Sequence, residues 1–144
     1  MQRLGGGLFL KYMYNPGFVI EILDISREKF RYWRRELDSR PYRPRFSFQM
    51  LLAYAVIQEL VDNRWLSPRH LKATNLEDLF AWFEIDHAES ERADMIIELD
   101  REQTTIQIKR RSVTYQPPRS DTRIETVHLC DLESRIVNRF KYIH

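Results

Sequence analysis

Apolar positions recur with helical spacing over the first eighty or so residues and gather into β-rich runs after that. Phe18-Val19-Ile20-Glu21-Ile22-Leu23 follows the breaker cluster Asn15-Pro16-Gly17 and reads as a first helix from its context, although its β-branched residues also suit a strand. Asp24-Ile25-Ser26 reads as a tight turn, with Ser26 as the N-cap of the next element. From Arg27 to about Leu37, residues Phe30, Trp33 and Leu37 lie three and four apart and share a helical face. Arg27, Arg31 and Arg35 line another face, and Glu28 sits in the first turn where the helix dipole favours an acid. Pro41 and Pro44 make 38–45 a stiff, extended loop.

Ser47 caps a third helix over about Phe48 to Asn63, in which Phe48, Leu52, Val56 and Leu60 repeat every fourth residue and Ile57 and Val61 widen the stripe. Ser67 followed by Pro68 starts a fourth helix that runs to about Ala73. Leu76, Leu79, Phe80 and Phe83 predict a helix over about 76–84, and the polar stretch Asp86 to Arg92 reads as a linker. Met95–Leu99 and Thr104–Ile108 flank a polar turn and predict a β-hairpin. Thr126–Leu129 suits another short strand, with Cys130 as a small buried residue beside it. Leu132, Ile136, Val137, Phe140 and Ile143 predict a closing amphipathic helix. The expectation is an α+β chain, mainly α. It has an extension over 1–16, a helical domain over 17–84, a linker over 85–93, and a small C-terminal domain over 94–144 built from a hairpin and a helix.

Charge sharpens this division. The formal net charge is only +2, but residues 1–72 hold 13 Lys/Arg against 7 Asp/Glu, and residues 73–144 hold 10 against 14. The excess concentrates between Arg27 and Arg45, where eight basic residues face three acidic ones. A polyanion is the partner such a segment suits. Reactive chemistry is not in view. One cysteine makes no disulfide or thiolate cluster, and His70, His87, His128 and His144 lack metal-ligand spacing. Gly5-Gly6-Gly7 lacks the Lys and Ser/Thr of a phosphate loop. Asp94, Glu98 and Asp100 fit a solvated strand face, so no enzyme, cofactor or metal is expected. The first ten residues suit neither a signal peptide nor a membrane anchor, and a cytoplasmic, nucleoid-associated location is expected.

Ile25-Ser26-Arg27-Glu28-Lys29-Phe30-Arg31-Tyr32-Trp33-Arg34 resembles the second-helix pattern of the MerR family. Ile25, Ser26, Phe30, Arg31, Tyr32 and Trp33 fall on that pattern without a gap. Phe46-Ser47 before a helix and Ser67-Pro68-Arg69-His70-Leu71 are similar to the segments that follow in the family, so the resemblance covers about 17–73. It implies an N-terminal winged helix-turn-helix. The recognition helix at about 26–37 would enter the major groove of double-stranded DNA, and a wing at about 38–46 would rest on phosphate. Asp24 stands where the family usually has Gly, and Arg34 where it has Glu. The likeness is closest to compact members with a small C-terminal domain.

A recognition helix needs an apolar face to dock and a hydrogen-bonding basic face to read bases. The candidate DNA-binding residues are Ser26, Arg27, Glu28, Lys29, Arg31, Tyr32, Arg34, Arg35, Arg40, Tyr42, Arg43 and Arg45. Arg31 is the phosphate clamp that the resemblance implies, with Arg27, Glu28 and Lys29 as base readers. The function expected is sequence-specific transcription regulation, with the chain acting as a homodimer through the hairpin or the last helix. An excisionase-like or phage-type architectural DNA-bending factor is the first alternative. The acidic C-terminal half motivates a second, an antitoxin or adaptor with a protein partner.

Overall fold

Backbone capping, more than propensity, decides where the first helices begin and end. The computed structural model describes residues 13–111 and 123–143. Strand β1 (Met13–Tyr14) precedes helix α1 (Pro16–Leu23), in which the Asn15 side chain accepts from the Phe18 N–H at 2.8 Å and Pro16 occupies the first turn. This cap sets the β-branched run as helix rather than strand. Asp24 ends α1 in the left-handed region (φ 56°) and its N–H bonds the Glu21 carbonyl. A left-handed position favours Gly, and Asp is among the few other residues that tolerate it. The three-residue turn then delivers the chain to α2 (Arg27–Glu36), where Ser26 Oγ accepts from the Lys29 N–H at 3.0 Å. Ser26→Ala is expected to cost about 1 kcal/mol of stability, read from urea unfolding.

Strand β2 (Phe46–Ser47) pairs antiparallel with β1, matching Tyr14 with Phe46 and Met13 with Ser47. The expected extension over 1–16 is therefore part of the fold at its end, since residues 13–14 hold the exit of the 38–45 loop. Helix α3 (Phe48–Gln58) continues into a π-helical turn over Glu59–Asn63. Every residue from Phe48 to Ile57 is buried, so α3 is the axle of the molecule rather than the one-sided helix its stripe predicted. Helices α4 (Pro68–Lys72) and α5 (Leu76–Glu84) follow, α4 capped by Ser67 at 3.0 Å.

The span 85–93, expected to be a linker, contains a short helix, α6 (Glu89–Ala93), and Arg92 on it is wholly buried. Its guanidinium meets the Glu133 carboxylate through two bonds of 2.8 Å and donates to the His87 carbonyl at 2.6 Å. Strands β3 (Met95–Asp100), β4 (Thr105–Arg110) and β5 (Ile124–His128) form an antiparallel sheet in the order β4-β3-β5. The predicted hairpin is β3–β4, with Ile97 opposite Ile108. Helix α7 (Leu129–Ile143) begins directly after β5, so Leu129 and Cys130 are helical, and Cys130 is only half-buried.

One hydrophobic cluster runs from Val19 on α1 through α3 to Leu132, Ile136 and Phe140 on α7. The two expected domains thus share a single core. Phe140 packs edge-on to Tyr14 (5.7 Å) and tilted to Phe18 (5.3 Å), which ties the last helix to the first. Asn75 bonds both the N–H and the carbonyl of Ile106 on β4, and Arg64 donates to the Thr126 carbonyl of β5. No described helix is long and apolar enough to cross a membrane.

Candidate nucleic-acid interface

Helix α2 docks by the face its spacing predicted: Phe30, Trp33 and Leu37 are buried. Phe30 sits against Tyr54 of α3 (5.3 Å) and Phe46 of β2 (5.6 Å). Docking by that face leaves Arg27, Glu28, Arg31, Tyr32 and Arg35 exposed along the outside of the helix. Arg27 and Arg31 have no ion pair among the described residues. Lys29 is half-exposed and bonds Asp62 of the π-helical turn at 2.8 Å. Arg35 reaches its neighbour Glu36 at 2.9 Å and lies over the Tyr32 ring. The hydrogen bonds from Lys72 and then Arg35 hold the Glu36 carboxyl at about 2. Ser26 is exposed, but its hydroxyl oxygen is engaged in capping α2.

The loop 38–45 contains no β-hairpin. Only its exit, Phe46–Ser47, is strand, and that strand pairs with Met13–Tyr14 instead of folding back on the loop. Two side-chain constructions fix its path. Asp38 receives the Arg40 guanidinium in a fork (2.9 and 2.7 Å) and the Tyr54 hydroxyl at 2.6 Å. Arg40 also reaches Glu84 at 3.3 Å and lies over the Phe80 ring. Arg40, expected on phosphate, is thus committed to the protein and only 14% exposed at its side chain. Burial pushes the Asp38 carboxyl up, but the hydrogen bonds from Arg40 and Tyr54 more than reverse this and hold it below its ordinary value. Burial and the Asp38 charge push the Tyr54 phenol well up.

Arg34 makes the second construction. Its guanidinium lies 4.3 Å from the Tyr42 ring centroid and 4.9 Å from that of Phe46, and it donates to the Arg43 carbonyl at 2.6 Å. It positions the loop against α2 from inside. A Glu at this position could neither stack on these rings nor donate to the carbonyl. Tyr42 remains 71% exposed with one face on Arg34, while Arg43 and Arg45 are exposed with no ion pair among the described residues.

Between α2 and the loop lies a crevice of about 490 Å³ lined by Arg31, Arg34, Arg35, Tyr42 and Arg43 together with the Asp38–Arg40 pair. Of the twelve sequence candidates, Arg31, Arg34, Arg35, Arg40, Tyr42 and Arg43 meet at this crevice, Arg27, Glu28 and Tyr32 stay on the open helix, and Arg45 lies farther along the loop. Sequence reasoning missed Asp38, Tyr54 and Glu84, which shape the crevice. An acid two residues before an Arg in a Pro-braced loop was the one local signal.

The apolar stripe of the last helix packs within the chain. Leu132, Ile136 and Phe140 of α7 lie in the core, and the outer edge of β4 is occupied at Ile106 by Asn75. Trp65, between the π-helical turn and α4, is 84% exposed on a left-handed backbone (φ 60°). No family model, no curated protein and no solved structure matches the chain.

Proposed function

We propose that the chain binds double-stranded DNA through α2 and the 38–45 loop, as a regulator of MerR-like helix-turn-helix build. The observation that carries this reading is a convergent basic surface whose charges are left open. Arg27, Arg31, Arg43 and Arg45 are exposed and have no acidic partner among the described residues. The surface is also built to be rigid, because Phe30 and Trp33 anchor α2 while Arg34 and Asp38 lock the loop beside it. A helix presented this way can lie in a major groove, with the loop on the flanking phosphates. Arg27, Glu28 and Lys29 lie at the N-terminal end of α2, the end that meets base edges in such docking. Arg31 and Arg43 fit phosphate, Tyr42 can donate to it, and Arg34 and Arg40 act through the shape of the loop.

Duplex binding measured at several salt concentrations tests the reading. The chain is expected to bind random-sequence duplex with a steep loss of affinity as salt rises. Changing both Arg31 and Arg43 to Ala removes two phosphate contacts and is expected to lower the slope of log affinity against log salt by about 2. Both side chains are exposed, so the fold should be unaffected. Equal affinity and slope in the variant and the parent would refute the proposal.

A further inference from the structure

The crevice between α2 and the loop has a property that a duplex backbone does not need. It is a hollow rather than a ridge, and five arginines, Arg31, Arg34, Arg35, Arg40 and Arg43, line it. Arg40 is neutralised by Asp38 and Glu84, and those two acids are occupied by it. Arg31 and Arg43 remain without an ion pair among the described residues, and Arg35 uses one edge on Glu36. Arg34 spends one nitrogen on the Arg43 carbonyl. A phosphodiester in a duplex carries one charge and sits on a convex ridge. Several guanidinium groups around one hollow match a compact group with more than one negative charge.

The aromatic component is equally specific. The inner face of Tyr42 is covered by the Arg34 guanidinium at 4.3 Å, and the ring is 71% exposed. The other π-face is therefore open, on a ring that lines the crevice and is held still by the stack beneath it. A free, immobilised aromatic face next to phosphate-binding groups is a platform for a nucleobase. The volume of about 490 Å³ lies in the range of small-ligand sites.

We infer that this crevice binds a free nucleoside polyphosphate, with the phosphates on Arg31, Arg35 and Arg43 and the base on the outer face of Tyr42. The ligand occupies part of the surface proposed for DNA, so nucleotide and duplex exclude one another. Only that competition rests on the DNA-binding reading, because the crevice stands on its own geometry.

Calorimetric titration of the full chain without DNA tests the site, using adenosine and guanosine diphosphates, pyrophosphate, adenosine and a short single-stranded oligonucleotide lacking terminal phosphates. The diphosphates should bind, pyrophosphate should bind more weakly, and adenosine should not bind. Arg31→Ala and Arg43→Ala should each weaken the diphosphate at least tenfold. Tyr42→Ala should abolish the advantage of diphosphate over pyrophosphate while leaving pyrophosphate unchanged. The inference is overturned if neither diphosphate binds, if the arginine variants bind as tightly as the parent, or if only the oligonucleotide binds. Duplex binding without nucleotide binding would overturn this site and leave the DNA proposal standing. Nucleotide binding without duplex binding would do the reverse.

Discussion

Glu133→Ala is expected to destabilise the protein by about 3–5 kcal/mol, the range for removing one partner of a buried ion pair. Arg92 is 0% exposed, and its guanidinium is met by Glu133 through two bonds, by the His87 carbonyl through a third, and by Gln49 in a longer contact at 3.4 Å. Alanine at 133 leaves that cation enclosed with neutral acceptors alone. The pair joins α6 to α7, so the damage should spread to the packing of the last helix on the core. Urea unfolding of the variant gives the loss directly, and a loss under about 1 kcal/mol would mean that the cation finds water instead. The double variant Arg92→Met with Glu133→Leu removes both charges. It should recover most of the stability, since a buried pair contributes little beyond an apolar pair of similar volume.

Asp38→Ala is expected to lower stability by about 2–4 kcal/mol, because it strands the Tyr54 hydroxyl and leaves the largely buried Arg40 with only the longer Glu84 contact. Its second effect is on function: the loop loses its fixed path, and the proposed duplex affinity should fall even though Asp38 touches no DNA. The pH dependence identifies the cause. The Asp38 carboxyl titrates below its ordinary value in the folded state. The stabilisation it brings is therefore present in full above the unfolded carboxylate value, about 3.9, and is lost as pH falls through the lower, folded value. The stability gap between parent and variant should hold from neutral pH down to about 4 and narrow below it. A gap that is unchanged down to the acid limit would show that the ionised carboxylate is not what holds the loop.

The parts of this molecule that the sequence made legible are those whose causes are local. Ser26, Ser47 and Ser67 each cap the helix that follows, and each cap is readable as a Ser ahead of a periodic stretch. Phe30, Trp33 and Leu37 show their shared face by spacing alone, and so the open Arg27, Arg31 and Arg35 face was legible too. What escaped reading depends on partners far along the chain. Arg92 lies in a polar stretch that looks like a linker, and its partner is 41 residues away. Asp38 and Arg40 look like two more surface charges until α3 brings Tyr54, and α5 brings Glu84, against them. Arg34 looked like a DNA contact because nothing local says that Tyr42 and Phe46 will close around it. The π-helical end of α3 and the pairing of β2 with β1 are likewise tertiary outcomes.

The side chains that cover the small sheet bear on how the protein behaves when crowded. A bare strand edge is a template on which a second chain can add its own strand, and growth by that route leads to fibrils. At β4 an incoming strand would have to displace Asn75 from both backbone groups of Ile106, and at β5 it would have to dislodge Arg64 from Thr126. Lys109 and Arg110 add charge along β4. An added strand is thereby opposed at Ile106 on one edge and at Thr126 on the other, and the two side chains that oppose it, Asn75 and Arg64, come from loops outside the core.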